Sequence, residues 1–234
     1  MKKGEARKKE ILNTAELLFC KKGYEQTSVQ DILDRLKSSK GSFYHHFPSK
    51  ESLLEGICKK RAEEVYLITK EKIENDENIL SNLDNLFSGM IPLCSERIAF
   101  LLMLLSIFHL PEGKLIRIKY CESLAGQFRS DVITQIKKGH HSGALFCDKP
   151  EIATDIVLLL LNNLWVNISD HIISAEENGK EPDLAEQLNI VDQYRFCIEK
   201  ILTLPYGSMS LTDIDTLRQV TDQIHNHWKK TNVL

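Results

Sequence analysis

The chain has 234 residues, 42% of them hydrophobic, and its formal net charge is −3. This apolar content supports a substantial core in one large domain or two smaller ones, and the charge excludes a uniformly basic nucleic-acid-binding protein. The most apolar run, residues 98–110, is shorter than the ~18 residues that a membrane span requires, and no apolar leader follows the charged N-terminus. We therefore expect a cytoplasmic protein without a membrane partner.

Charge is distributed unevenly along the chain. Residues 1–50 hold 11 Lys and Arg against 6 Asp and Glu, a net charge of +5, so the remainder carries −8. A basic module joined to an acidic body is typical of a small DNA-reading head attached to another domain. We predict a DNA-binding domain in residues 1–50 and a second domain in residues 51–234.

Apolar residues recur at helical spacing throughout, and no strand pattern persists. Glycine, proline and asparagine interrupt this spacing often enough to divide the chain into about ten helices. The sequence therefore predicts an all-α protein, with three short N-terminal helices and a larger helical domain after them.

The first predicted helix has one apolar stripe and ends at a glycine. Lys21 and Lys22 lie in its last turn, where the helix dipole favours cations, and Gly23 can adopt the left-handed conformation that ends a helix. The stripe comprises Ile11, Leu12, Ala15, Leu18 and Phe19.

Two short helices with a tight link between them follow. Thr27 is the predicted N-cap of the second helix, and Gln30, three residues later, can close a capping box. The link at Lys37 and Ser38 leads to a third helix that begins near Ser39. Three helices with this link match the helix-turn-helix plan, in which the last helix enters the major groove of DNA.

The third helix has an apolar face and a small or polar face. Phe43 and Phe47, one turn apart, form the apolar face; Pro48 ends the helix, and Ser49 caps a long fourth helix. A recognition helix requires such an opposite face, because bulky side chains there would keep it from the base edges.

Residues 27–57 strongly resemble the DNA-binding segment of the TetR/AcrR family of transcriptional regulators. The most specific part is residues 39–51, SKGSFYHHFPSKE, at the family's spacing from the F-x-x-x-G-Y ending of the first helix, residues 19–24. The resemblance implies the following DNA-binding residues: Thr27, Ser28, Gln30, Ser39, Lys40, Gly41, Ser42, Tyr44, His45 and Lys50.

The resemblance also implies a role for each part of this segment. Lys40 would donate to guanine acceptors, Gly41 would let the helix come close, and the Tyr44 hydroxyl would bind a phosphate. The second helix would bind a phosphate through Thr27 or Ser28 and its free amides. His45 would reach a phosphate or a base edge, and Lys50 would add its charge at the start of the fourth helix.

Some residues of the segment have a second interpretation. Tyr44 can be a core aromatic, and His46 can pack or hydrogen-bond near the helix end. The N-terminal lysines can be a solvated tail or can attract phosphate non-specifically. Family members usually have Gly where this chain has Lys37, so Lys37 is expected to adopt a conformation that Gly takes more easily.

The remaining chain is expected, by the same resemblance, to be a regulatory and dimerisation domain. Residues 152–173, apolar around most of the helix, and residues 184–204 suit a four-helix bundle between two subunits, although either can be ordinary core. The final helix, residues 211–228, has one apolar stripe and either packs on its own chain or extends the dimer contact.

An effector pocket is expected around the apolar helix of residues 98–110, although such a face can equally be plain core. Apolar candidates outnumber polar ones, which favours a hydrophobic effector. The predicted ligand-binding residues are Phe100, Met103, Leu104, Ile107, Phe108, His109, Tyr120, Phe128 and Trp165.

No motif indicates an enzyme, a metal site or a cofactor. His140, His141 and Cys147 lack regular ligand spacing, and the six cysteines fit reduced buried thiols, with redox sensing as the alternative. We predict a dimeric repressor of a near-palindromic double-stranded DNA operator that an unknown small-molecule effector releases. The alternative is a TetR-like scaffold that serves as a protein-interaction module without specific DNA binding.

Overall fold

The computed structural model describes residues 3–74, 76–92, 98–107 and 110–231, which contain ten α-helices and no β-strand. The all-α prediction is confirmed. Two of the predicted effector-binding residues, Phe108 and His109, lie outside the described residues. The helices are α1 (Lys3–Lys22), α2 (Val29–Leu36), α3 (Lys40–His46), α4 (Lys50–Glu74), α5 (Ile79–Met90), α6 (Ile98–Ser106), α7 (Pro111–Ser142), α8 (Pro150–Glu177), α9 (Leu184–Ile201) and α10 (Ile214–Thr231).

The chain forms two compact units. The first comprises residues 1–63 and 99–123, and the second comprises residues 64–98 and 124–234. The charge distribution predicts a domain boundary at residue 50, between a basic and an acidic region. This domain boundary stays a prediction.

In the first unit, α1, α3 and α4 pack around aliphatic and aromatic side chains. The α1 stripe is buried as predicted at Ile11, Ala15 and Phe19, although Leu18 is half-buried. The helices come so close at Gly56 that an added Cβ would lie 3.0 Å from carbon atoms of Leu12 and Phe47. Glycine at this position of α4 therefore sets how closely α4 packs on the short helices.

A buried carboxylate joins α1 to α4. Glu16 is 5% exposed. It accepts a hydrogen bond from Lys60 Nζ at 3.0 Å and another from Arg61 Nε. Two cations compensate for the desolvation of this carboxylate, so the ion pairs hold α4 in register with α1.

The second unit is organised around α8 and α9, and α10 packs on both of them. Thr221 of α10 donates to Gln187 of α9 at 2.8 Å, and the His225 ring lies 2.7 Å from the buried Glu176 carboxylate of α8. The final helix therefore packs on its own chain, the first of the two placements that its sequence leaves open. It begins at Ile214, after the predicted residue 211.

One face of α8 is apolar and exposed. Ile152, Ile156 and Leu159 are 59%, 43% and 63% exposed, respectively. Within the described residues, α8 is also the one helix whose length and composition would suit a membrane span, and half of its most apolar window is buried. The prediction that this helix is apolar around most of its surface holds, but a single chain leaves part of that surface uncovered.

Candidate DNA-binding surface

The N-terminus of α2 is capped by Ser28. Its hydroxyl accepts a hydrogen bond from the Asp31 amide at 3.1 Å, and the Ser28 amide donates to the Asp31 carboxylate at 2.8 Å. The predicted pair, Thr27 with Gln30, is wrong: the capping box is present, one residue further along the chain. The Gln30 side chain instead donates to Asp34 at 2.7 Å.

Thr27 is fully buried, and its hydroxyl donates to the carbonyl oxygens of Gly23 at 2.8 Å and Leu18 at 3.4 Å. It therefore joins the end of α1 to the start of α2, and its hydroxyl does not face outward as a phosphate contact requires. Ser28 is exposed, but its hydroxyl donates to the Asp31 carboxylate at 2.6 Å, so the helix amides after it remain as the candidate phosphate contact. Sequence reasoning could not separate Thr27 from Ser28, because each is a good capping residue.

Asp31 lies at the N-terminus of α2, where the resemblance implies a phosphate contact with free amides. Hydrogen bonds from Ser28 and the Lys22 ammonium, whose Nζ is 2.9 Å away, lower the pKa of this carboxyl well below its usual range. The carboxylate already accepts the Ser28 amide. Because the Asp31 amide donates to the Ser28 hydroxyl, the helix amides left for a phosphate are those of Val29 and Gln30.

The turn between α2 and α3 is left-handed at Lys37. Its φ and ψ are 49° and 47°, and the Ser38 amide donates to the Leu33 carbonyl at 3.0 Å, as in a glycine-terminated helix. The predicted conformation of Lys37 is confirmed. Ser39 then caps α3 by accepting the Ser42 amide at 3.3 Å.

The two faces of α3 differ as the sequence predicts. Phe43 is buried against Phe47, with ring centroids 6.2 Å apart. Lys40 and His45 are exposed, and Tyr44 is 52% exposed. The core interpretation of Tyr44 is therefore wrong.

Gly41 lies on the same exposed face. An added Cβ would meet no atom within 4 Å, so packing inside the chain does not require glycine there. Glycine at this position is explained if this face of α3 must approach another molecule closely. The half-buried Ser42 lies at the edge of this face.

The start of α4 carries the last predicted DNA-binding residue. Ser49 caps the helix as predicted, since it accepts the Ser52 amide at 3.1 Å. The ammonium of Lys50 lies 4.0 Å from the centroid of the Tyr24 ring. This cation–π contact fixes the Lys50 charge beside the helix amides.

His46 is half-buried at the end of α3. Burial lowers its pKa, and the positive charges of His45, Lys8 and Arg7 lower the pKa further. Sequence reasoning missed the proximity of Arg7 and Lys8 to this helix, since they precede it by more than thirty residues. Their clustering in a basic N-terminal segment was the available signal.

The predicted effector-binding residues are divided between the two units. Phe100, Met103, Leu104, Ile107 and Tyr120 are buried in the first, where the Phe100 and Tyr120 rings meet edge to face at 5.5 Å. Phe128 and Trp165 are buried in the second. A cavity of about 350 Å³ lies elsewhere in the first unit and is lined by none of these residues: its lining is Asn13, Glu16, Leu17, Cys20, Lys60, Arg61 and Ala99. The effector pocket stays a prediction.

The histidines near the end of α7 form hydrogen bonds with the main chain. His140 Nδ1 accepts the Cys147 amide at 3.3 Å, and His141 Nδ1 lies 2.6 Å from the Lys137 carbonyl. In the described parts of the chain, no group of three or more His, Cys, Asp and Glu side chains is placed to hold a metal ion.

Known proteins resemble this chain most strongly across the short helices. Residues 11–57 match the family model for bacterial regulatory proteins of the TetR family. The HTH-type transcriptional regulator YuxN of Bacillus subtilis is 56% identical over 48 residues, which are 20% of this chain and only 16% of that protein. The HTH-type transcriptional repressor KstR2 of Mycobacterium tuberculosis is 23% identical over 168 residues, 70% of this chain and 80% of KstR2.

A solved structure extends the likeness to most of the fold. A TetR-family transcriptional regulator from Pectobacterium atrosepticum superposes with a TM-score of 0.57 and 17% sequence identity, covering 86% of this chain and 97% of that one. At this identity the match concerns the arrangement of helices and not what the protein binds.

Proposed function

We propose that the chain is a member of the TetR family of bacterial regulatory proteins, whose model residues 11–57 match, and that it is a cytoplasmic transcriptional regulator that binds double-stranded DNA through α2, α3 and the start of α4. The exposed polar face of α3 carries this proposal. Its residues project from a helix that two buried phenylalanines anchor, which leaves the outer face available to a major groove.

Each exposed residue has a chemical role in this proposal. Lys40 donates to guanine O6 and N7, and the bare backbone at Gly41 permits the approach that this contact needs. Tyr44 donates its hydroxyl to a backbone phosphate. The first free amides of α2 and the Lys50 ammonium bind phosphates on either side, and these contacts fix the register of α3 without reading sequence.

Dimerisation is the second part of the proposal. The exposed stripe of Ile152, Ile156 and Leu159 on α8 and the 41% exposed Phe196 on α9 give each subunit an apolar surface to cover. A second copy covers such a surface with the same residues, and a twofold dimer places two α3 helices about 34–36 Å apart in successive major grooves. The operator is therefore near-palindromic.

Regulation by a small molecule is the third part. An effector that binds the non-DNA-binding conformation more tightly shifts DNA affinity only by the difference between its two binding free energies. Repression that the effector relieves is the outcome that the resemblance favours, and KstR2, named a repressor, supports it. Buried aromatic residues around α6 favour a hydrophobic effector.

The test is to select duplexes from a random pool with the full-length protein and to measure binding of the selected sequence against a scrambled one. We expect a near-palindromic consensus and an affinity that falls steeply with salt. The absence of any sequence-specific, salt-sensitive binding would contradict the proposal and favour a protein-interaction module.

A further inference from the structure

The first two turns of α1 form a charged segment that adds little to the core. Residues 4–10 are exposed except for the half-buried Arg7, and the buried stripe begins only at Ile11. Residues 3–10 contain four Lys and Arg against two Glu. Since packing does not explain these residues, their positive charge suggests a role in binding an anion.

The fold brings this segment to the end of the recognition helix. The Lys8 ammonium lies 5.8 Å from the centroid of the ring of Phe47, the residue that follows α3. The adjacent rings of His45 and His46 lie 5.1 Å apart, centroid to centroid. Two helices thus contribute basic groups to one place.

The charges that act on His46 come from both helices. Arg7 and Lys8 act from α1, and His45 acts from α3. Of these charges, that of Arg7 is partly compensated, because its guanidinium donates a hydrogen bond to Glu10 at 2.5 Å. The group is therefore cationic overall, and both burial and repulsion inside the group disfavour a proton on His46 in the free protein.

We propose that Arg7, Lys8, His45 and His46 form an additional binding site for a DNA backbone phosphate, and that His46 takes up a proton when the phosphate is bound. The inference rests on the proposed DNA-binding function. Burial and the neighbouring positive charges both lower the pKa of His46, and a bound phosphate offsets the second of these causes, so binding and protonation favour each other.

The sign of the pH effect follows from this linkage. The pKa of His46 is lowered in the free protein and rises toward or above its ordinary value when the phosphate is bound. The complex therefore holds more protons than the separate molecules, and DNA affinity increases as the pH falls through the ordinary range of histidine. Lowering the pH thus strengthens DNA binding at any sequence, because a phosphate contact carries no base preference.

The experiment measures the affinity of the full-length protein for a labelled duplex of mixed sequence and about 30 base pairs, long enough for both half-sites of a dimer. Fluorescence anisotropy at constant salt gives Kd between about pH 8 and pH 6 for the natural protein and for His46→Gln, His45→Gln/His46→Gln and Lys8→Ala. His141→Gln is the matched control, since it removes an exposed histidine on α7, outside the proposed site. Circular dichroism establishes that each variant is folded.

For the natural protein and for His141→Gln, we expect Kd to be lower by about threefold or more at pH 6 than at pH 8. His46→Gln should lose most of this change, and the double variant should lose it completely. Lys8→Ala should lower the slope of log Kobs against log salt by about 1. An equal pH dependence in the natural protein and the double variant would overturn the inference while leaving DNA binding intact. Failure of the natural protein to bind any duplex at any pH would overturn the proposed function and this inference with it.

Discussion

Lys37 adopts the left-handed conformation that glycine accepts without strain. Its Cβ approaches the following carbonyl oxygen at φ 49°, which costs an ordinary residue about 1–2 kcal/mol. The turn nevertheless forms, because the hydrophobic packing of α2 and α3 on the core fixes both of its ends.

Replacement of Lys37 by glycine should therefore stabilise the protein. Relief of the strain exceeds the extra entropy of glycine in the unfolded chain, so we expect the free energy of unfolding to rise by about 0.5–1 kcal/mol. Urea denaturation measures this. Lys37→Ala is the matched control; because alanine keeps the Cβ, it should leave stability unchanged, and an equal gain in both variants would show that strain is not the cause.

Tyr44 and Lys40 are both exposed on α3, but they should act differently on DNA. Tyr44→Phe removes a phosphate contact and should weaken binding to the selected and scrambled duplexes by the same factor. Lys40→Ala removes a base contact and should relax the preference at one base pair, by about 1–3 kcal/mol. Competition binding against a set of single-base-pair substitutions distinguishes the two. If neither change alters operator affinity, α3 is not the recognition helix.

At the scale of elements, the ion pair of Lys22 and Asp31 joins α1 to α2, and the capping box of Ser28 and Asp31 begins α2. The Asp31 carboxylate serves both, because it accepts the Ser28 amide and the Lys22 ammonium. This arrangement stabilises the ionised carboxyl in the folded protein.

The pH dependence of stability should reflect this carboxylate. Because its pKa is lower in the folded than in the unfolded chain, its contribution is present at neutral pH and is lost as the pH falls below about 4. Asp31→Asn should lower the thermal midpoint at neutral pH and show a smaller decrease on acidification. The matched control is Asp222→Asn, which removes an exposed carboxylate of α10. Its thermal midpoint should depend on pH in the same way as that of the natural protein. If the thermal midpoint of Asp31→Asn falls on acidification as much as that of the natural protein, the pH dependence does not come from Asp31.

The whole molecule, as proposed, functions only as a dimer. Leu159, 63% exposed in the single chain, lies in the apolar stripe of α8. Leu159→Glu places a charge in that surface, and burying it without a partner is costly, so we expect the variant to be a folded monomer that has lost operator affinity.

Sedimentation equilibrium measures the oligomeric state, circular dichroism measures the fold, and binding to the selected duplex measures operator affinity. The matched control is Leu67→Glu, at a leucine of α4 that is 54% exposed and does not belong to the stripe. This control should remain a dimer. A dimeric Leu159→Glu protein would show that another surface joins the subunits.

Much of the protein could be predicted from the sequence because the signals are local. The apolar stripe of α1, the left-handed Gly23, the cap at Ser49 and the strained Lys37 each depend on residues within one or two helical turns. The same holds for the polar face of α3, since its orientation follows from the buried phenylalanine on the opposite side.

The tertiary structure decided what depends on residues far apart in the chain. Thr27 is buried, and Ser28 is the N-cap of α2 in its place. The α10 helix packs on its own subunit, and the α8 stripe is exposed. Arg7 and Lys8 lie close enough to His46 to lower its pKa. Helical periodicity shows that a face is apolar but not what covers it, because that is determined by the packing of distant segments. The sequence by itself thus carried the resemblance to the TetR family and predicted a recognition helix, whereas only the folded chain revealed the cluster of basic groups proposed to bind phosphate.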